Sequence, residues 1–193
     1  MVTQKGDNTF VVGIHGNFDD AQSGVKAIFN DKDLAAEMEK SGFQFSSANS
    51  INIGRLVPQM VYYVYAYAQL LASGAIGDGE EINVVVPTGN FGNILAAYLA
   101  GKMRVPVGKL ICASNENKVL TDFIKTGVYD ARRDFHLTNS PSMDILISSN
   151  LERLIYLLAE RDGEAVSTWM KALDTEKVYE VSETVKKGLE DFY

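Results

Sequence analysis

The stretch INVVVPTGNFGNILAAYLAGKMRVPVGKLICA, residues 82–113, decides the fold of this 193-residue chain. Two apolar runs of strand length, Ile82 to Val86 and Val107 to Ala113, flank a helical pattern through Ile94 to Lys102. Continuous apolar runs of this length are typical of strands buried on both faces. A strand, a helix and a second strand in this order form a βαβ unit with parallel strands. The sequence therefore predicts an α/β fold.

The turn that joins the first strand to the helix, Pro87 to Asn93, is rich in glycine. Backbone N–H groups at the start of a helix can converge on an anion, and phosphate is the natural ligand. Gly89 and Gly92 leave room for the backbone to approach it, and Asn90 and Asn93 are expected to add amide donors. The turn lacks the Lys-Ser/Thr pair of a P-loop and the spacing of a dinucleotide fingerprint. Taken alone, it fits a plain packing turn equally well.

Outside this unit, the pattern alternates between strand and helix, with Gly74 to Glu81 as an exposed break. Strands are predicted at Phe10 to Ile14, Phe43 to Ser47 and Phe135 to Thr138. Helices are predicted at Leu34 to Lys40, Ile53 to Ala72 and Lys118 to Lys125, and after a cap formed by Ser148, Ser149 and Asn150. Two more helices are predicted to close the chain, one lined by residues from Val166 to Leu173 and one by residues from Val178 to Phe192.

Composition narrows the range of partners. The chain has 18 Lys and Arg against 25 Asp and Glu, and its net charge of -7 would repel nucleic acid and anionic lipid. The apolar segment Leu56 to Ala72 is too short and too polar inside to span a bilayer. Cys112, the single cysteine, lies in an apolar run and has no partner for a disulfide. A cytoplasmic protein without nucleic-acid or membrane partners is expected.

Histidines and tyrosines indicate no further chemistry. His15 lies near Asp19 and Asp20, but a helix cap explains this group better than a metal site, so no metal is expected. His136 has no partner residue at a spacing that would indicate catalysis, and a surface strand position explains it better. Four tyrosines, which alternate around one apolar helix, fit core and interface packing better than stacking on a ring: Tyr62, Tyr63, Tyr65 and Tyr67. No nucleophile elbow of a serine hydrolase is present.

Five motifs, in unbroken order along the chain, resemble the bacterial threonine synthases, which are pyridoxal-phosphate (PLP) enzymes of fold type II. They are HGNFDDAQSGVKAIF (15–29), SSANSINIGRLVPQMVYY (46–63), PTGNFGNILAAY (87–98), KLICASNENKVLTDFIKTGVYD (109–130) and SPSMDILISSNLERLIY (140–156). The resemblance implies a three-layer α/β fold, with residues 1–48 in part of a small domain and residues 49–193 in part of the large cofactor-binding domain. It also implies that the cofactor's phosphate is bound by Gly89, Asn90, Phe91, Gly92 and Asn93.

The reaction implied by the resemblance converts O-phospho-L-homoserine and water into L-threonine and phosphate. PLP is the electron sink, and a lysine binds it covalently and then shuttles protons. In the family that lysine lies upstream, in a segment reading roughly Phe-Lys-Asp, and no such segment appears here. We therefore expect an internal fragment with no catalytic residue of its own, inactive in isolation.

Two polar groups allow two interpretations. Asn49, Ser50, Asn52 and Arg55 open an apolar helix, where the substrate phosphate could bind. Capping and domain contacts explain these residues about as well. The second polar group consists of Ser142, Asp144, Ser148 and Ser149. These residues could line a pocket, although helix capping is the simpler explanation.

The alternative function is a non-catalytic phosphate-binding or scaffolding module that reuses this fold. The missing lysine segment supports it. In the parent enzyme the expected partner is O-phospho-L-homoserine, and a homodimer is compatible with the sequence.

Overall fold

The computed structural model describes residues 6–87 and 89–192, without the side chains of Phe18 and Asp19. The chain divides into two compact units, Met1–Phe45 and Ser46–Tyr193. Their assignment to a small and a large domain stays a prediction.

The first unit contains two helices in its described part, α1 (Phe18–Asn30) and α2 (Lys32–Lys40). Asn17 caps α1: its side chain accepts from the Asp20 amide, and the Asp20 carboxylate accepts from the Asn17 amide. This reciprocal capping box satisfies two N–H groups at the helix start. The predicted strand Phe10 to Ile14 is wrong, because these residues pair with no strand among the described residues. Phe10 and Val12 are 86% and 82% exposed.

The second unit contains seven helices and four strands in its described part. The helices are α3 (Ile53–Leu56), α4 (Met60–Ala72), α5 (Gly92–Lys102), α6 (Val119–Thr126), α7 (Leu151–Leu158), α8 (Gly163–Glu176) and α9 (Glu183–Leu189). The strands are β1 (Ile82–Pro87), β2 (Val107–Ala113), β3 (Val128–Asp130) and β4 (Val178–Glu180). Short 310 turns lie at Val57–Gln59 and Pro141–Met143.

The βαβ unit is present as predicted. β1 and β2 pair in parallel, with Val86 opposite Cys112, and α5 connects them. Helix α5 is buried almost all round, as its uniformly apolar sequence requires. Burial of β1 on both faces was predicted wrongly, since Val86 is buried but its neighbour Val85 is 61% exposed. In the described part of the chain, only one face of this strand is covered.

The predicted helix Ile53 to Ala72 is interrupted. α3 ends at Leu56, a 310 turn follows at Val57–Gln59, and α4 begins at Met60. Pro58 lacks the N–H that a continuous α-helix would need at this position. The break also turns the Gln59 side chain toward Asn93 of α5, to which it is hydrogen-bonded.

Two further predicted strands, Phe43 to Ser47 and Phe135 to Thr138, are loops in the structure. In the segment Phe135 to Thr138, side chains accept the backbone hydrogen bonds that a partner strand would accept in a sheet. The His136 amide donates to Asn117 Oδ1, and the Thr138 amide donates to Asp144 Oδ2. Backbone N–H groups that are hydrogen-bonded in this way do not need the partners that a neighbouring β-strand would supply.

The small antiparallel sheet β3–β4 was not predicted, and Val178 lies in β4 instead of a helix. The rings of Tyr129 and Tyr179, opposite each other in this sheet, stack at 5.2 Å, and Phe123 of α6 packs edge-on against both. This aromatic cluster joins α6 to the C-terminal helices and extends the core around α5. Within the described residues, no helix combines the length and apolarity needed to cross a membrane.

Candidate functional site

The glycine-rich turn Gly89–Asn93, called the cup below, lies between β1 and the first turn of α5. Gly89 has φ +152°, which favours glycine, and Phe91 is left-handed at φ +64°. The Leu95 amide donates to the Phe91 carbonyl and so begins the helix. Within the described residues, the N–H groups of Phe91, Asn93 and Ile94 therefore have no intrahelical partner, and N–H groups of this kind can bind an anion.

Asn90 is the most strongly restrained residue of the cup. Its carbonyl accepts from the Asn150 amide at 2.9 Å. Its side-chain amide donates to Asn49 Oδ1 at 2.7 Å, and its Oδ1 accepts from the Ser50 hydroxyl at 3.1 Å. The Asn90 side chain therefore holds the loop in shape through neighbouring side chains, in addition to any donor role toward a ligand.

Asn93 is restrained from the opposite side by α4 and the preceding 310 turn. Its amide donates to Gln59 Oε1 at 3.0 Å, and the Tyr63 hydroxyl donates to its Oδ1 at 2.6 Å. Burial raises the pKa of Tyr63 to about 12, so this hydroxyl stays a neutral donor at physiological pH. Tyr63 was predicted as a packing residue, and its bond to the cup was missed.

Ser148 and Asn150, which were predicted to cap α7, face the cup instead. The Ser148 hydroxyl donates to the Gly89 carbonyl at 3.2 Å. Asn150 is completely buried, makes no side-chain cap and donates to Ser50 Oγ at 3.1 Å. A polar triplet before an apolar helix resembles a cap in sequence, so only the fold distinguishes the two roles.

The structure brings two of the four predicted substrate residues to the cup. Asn49 and Ser50 bond directly to Asn90. Asn52 instead caps α3, accepting from the Gly54 amide at 2.9 Å. The exposed Arg55 side chain donates from Nε to the Ala48 carbonyl at 3.4 Å, and its terminal nitrogens bond to no other described residue.

Asp144 lies buried beyond the end of β2 and organises a loop. Its carboxylate accepts from the amide and hydroxyl of Thr138 and from the side-chain amides of Asn115 and Asn117. The backbone bond from Thr138, with the other donors, holds the pKa of Asp144 below its usual value. All these partners are neutral, so in the described part of the chain hydrogen bonds compensate the charge.

The cup suits a phosphate group. A Cβ on Gly92 would collide with Ser50, so only glycine leaves the present spacing there. At Gly89 a Cβ would make only ordinary contacts with Met143, and it is the positive φ that favours glycine. The side chains that bond to Gly89–Asn93 in the described part of the chain are amides and hydroxyls without a carboxylate to repel an anion. A parallel βαβ unit with this cup defines the class, an α/β protein of PLP fold type II, as the solved structures confirm.

Comparison with known proteins identifies the relatives within that class. The chain is 46% identical to threonine synthase-like 1 of Homo sapiens over 195 residues, covering 100% of this chain and 26% of that protein. It is 40% identical to threonine synthase of Saccharomyces cerevisiae over 197 residues, and the match covers 97% of this chain and 37% of the yeast protein. PLP-bound threonine synthase from Brucella melitensis superposes with a TM-score of 0.75 at 37% identity, covering 92% of this chain and 36% of that one.

The resemblance to threonine synthases is thereby confirmed: the chain is homologous to a segment of these proteins. No protein-family model matches it. The chain spans about a quarter to a third of the length of the curated relatives it matches.

Proposed function

We propose that the cup, Gly89–Asn93, binds the phosphate group of PLP as part of a threonine synthase that converts O-phospho-L-homoserine and water into L-threonine and phosphate. The observation that carries the proposal is the geometry of the cup, in a chain homologous to threonine synthases. Helix N–H groups without an intrahelical partner in the described residues lie beside Gly92, where a side chain would collide with Ser50, and Gly89, whose positive φ favours glycine. The PLP-bound relative with the same fold supports this ligand.

The residues of the chain act by holding and orienting. The N–H groups of Phe91, Asn93 and Ile94 donate to the phosphate oxygens. Asn49 and Ser50 hold Asn90 from one side, while Tyr63 holds Asn93 from the other. When bound, PLP supplies an electron sink for the negative charge that develops on the substrate. A cup restrained before binding loses little conformational entropy when the phosphate enters.

The substrate phosphate is assigned to the residues that open α3. Asn49 and Ser50 shape this region through Asn90, and Asn52 fixes the start of the helix. Arg55 is the proposed direct donor because its planar guanidinium matches two phosphate oxygens.

In the proposed parent enzyme, the covalent lysine and proton shuttle come from the segment that this sequence lacks. Lys118 is the lysine of this chain that follows the carboxyl end of β2, but its Nζ pairs with Asp122 at 3.3 Å and its side chain is 60% exposed. An exposed amine that is paired with a carboxylate is not positioned in a pocket as a catalytic lysine must be. The isolated chain is therefore inactive. The missing lysine segment also supports the alternative, a non-catalytic phosphate-binding module.

Equilibrium dialysis with PLP and with pyridoxal, its analogue without phosphate, tests the proposed ligand. We expect measurable binding of PLP and at least tenfold weaker binding of pyridoxal, with inorganic phosphate competing against PLP. Equal binding of the two compounds would show that the ring, and not the cup, is recognised. A further assay distinguishes the threonine synthase segment from the non-catalytic module. The chain is joined to the missing parts of a relative, and phosphate release from O-phospho-L-homoserine is measured. Only a threonine synthase segment should regain this activity.

A further inference from the structure

Arg153, on the first turn of α7, joins that helix to the turn before α3. Its two terminal nitrogens donate to the carbonyls of Ser50 and Ile51, at 2.8 and 2.7 Å. The first of them also donates to Asn150 Oδ1. One planar guanidinium thus binds two successive carbonyls from about 100 residues away in the sequence.

The carbonyls that Arg153 binds belong to the turn that restrains the cup. Ser50 donates its hydroxyl to Asn90 Oδ1, and the neighbouring Asn49 accepts from the Asn90 amide. Asn150, to which Arg153 also donates, supplies the amide that binds the Asn90 carbonyl. Arg153 therefore supports both elements that hold Asn90.

The charge of Arg153 is not paired with a carboxylate in the described part of the chain. The side chain is half-buried, and its partners are neutral carbonyl oxygens. A charged side chain withdrawn from water is commonly paired with an opposite charge, which would neutralise the positive potential. An unpaired guanidinium leaves that potential near the anion site.

We propose that Arg153 is a positioning residue for the phosphate cup: its guanidinium fixes the turn 49–52, which in turn fixes Asn90, and its uncompensated charge favours an anion there. This inference rests on the proposed function, since it assigns a role within the same site. The ammonium of a lysine is a point charge without the fork geometry. Replacing Arg153 with lysine keeps the positive charge and removes the fork geometry, and it therefore separates the two effects.

The first test needs no ligand. In the amide NMR spectrum of the whole chain, Arg153→Lys should shift the resonances of residues 50–52 and also those of Asn90 to Gly92. Resonances of α6 should stay in place. Lys171→Ala, which removes a positive charge from an exposed position on α8, is the matched control and should leave the cup unchanged. Shifts confined to α7 would overturn the inference.

The second test measures inorganic phosphate affinity by the same resonances. We expect about tenfold weaker binding for Arg153→Lys and a larger loss for Arg153→Met. In Arg153→Ala, millimolar ethylguanidinium should restore part of the affinity, whereas ethylammonium should not, a result that general destabilisation cannot produce. If the wild-type chain binds phosphate and both Arg153→Lys and Arg153→Met bind it equally well, the inference is wrong.

The two proposals fail in different ways. If the wild-type chain shows no phosphate shift, the proposed function fails. The transmission of shifts from residue 153 to Asn90 then still decides whether Arg153 positions this loop.

Discussion

Gly92 lies directly against Ser50: a Cβ on Gly92 would overlap the serine hydroxyl oxygen and lie 2.6 Å from the serine Cβ. The glycine at the start of α5 therefore lets the turn 49–52 approach the cup. Glycine was expected here for the approach of a ligand, and the structure adds a reason within the protein.

Replacing Gly92 with valine should abolish phosphate binding and destabilise the fold by about 1–3 kcal/mol, because the new side chain displaces Ser50 from Asn90. Phosphate titration and urea unfolding measure the two effects. Gly101→Ala in the same helix is the control, since its Cβ would make only an ordinary contact with Val107 at 3.6 Å. Retained phosphate affinity in Gly92→Val would refute this account of the glycine.

Tyr63→Phe should lower the free energy of unfolding by about 1–2 kcal/mol, because Asn93 Oδ1 loses a buried donor at 2.6 Å. The Asn93 side chain, then held only through its bond to Gln59, should also weaken phosphate binding several-fold. Tyr65→Phe on the same helix is the matched control, since Tyr65 is 64% exposed. Equal stability of the two variants in urea unfolding would contradict the role given to Tyr63.

Asp144→Asn should lower the midpoint of thermal unfolding by several degrees at pH 7, because an amide cannot accept from all of its present donors. The folded-state pKa of Asp144 lies below its unfolded value of about 3.9, so the carboxylate stabilises the fold above that pH. This contribution disappears as the pH falls through the folded pKa.

The difference between wild type and Asp144→Asn should therefore shrink steadily below about pH 4. Thermal unfolding from pH 7 to pH 2 measures it. Asp174→Asn, an exposed substitution on α8, should unfold like the wild type throughout. A difference that does not depend on pH would show that the Asp144 charge is not what stabilises the loop.

The isolated chain should not react with PLP at one defined lysine and should release no phosphate from O-phospho-L-homoserine. None of its 12 lysines occupies the position of the family's catalytic lysine, and proton transfer needs a positioned amine. Borohydride reduction followed by peptide mapping detects adducts, and a phosphate assay detects turnover. A single stoichiometric adduct with turnover would overturn the proposal, and its loss in Lys118→Arg would then identify the base.

The βαβ unit and the cup could be predicted because their signals are local. A run of valines predicts a strand, and glycines between a strand and a helix predict an anion-binding turn. The strand predicted at Phe10 to Ile14 failed because β-propensity describes a suitable surface and does not supply a partner strand. The three-residue strands β3 and β4 are too short to show a period of two.

The support of the cup could not be predicted for a different reason. Asn150 and Arg153 reach Ser50 across about 100 residues, and their own surroundings in the sequence indicate only a capped amphipathic helix. Such contacts depend on the relative placement of α7 and the turn before α3. A single sequence carries no local sign of that placement.

The central claim is that the backbone of Gly89–Asn93 is a phosphate site. Titration of the ¹⁵N-labelled chain with inorganic phosphate, at constant ionic strength maintained with chloride, tests it most directly. We predict saturable shifts of the Gly89, Phe91, Asn93 and Ile94 amides, and no shift in the exposed helix α2. Amides of the cup that stay in place while phosphate is raised to saturating concentration would contradict it.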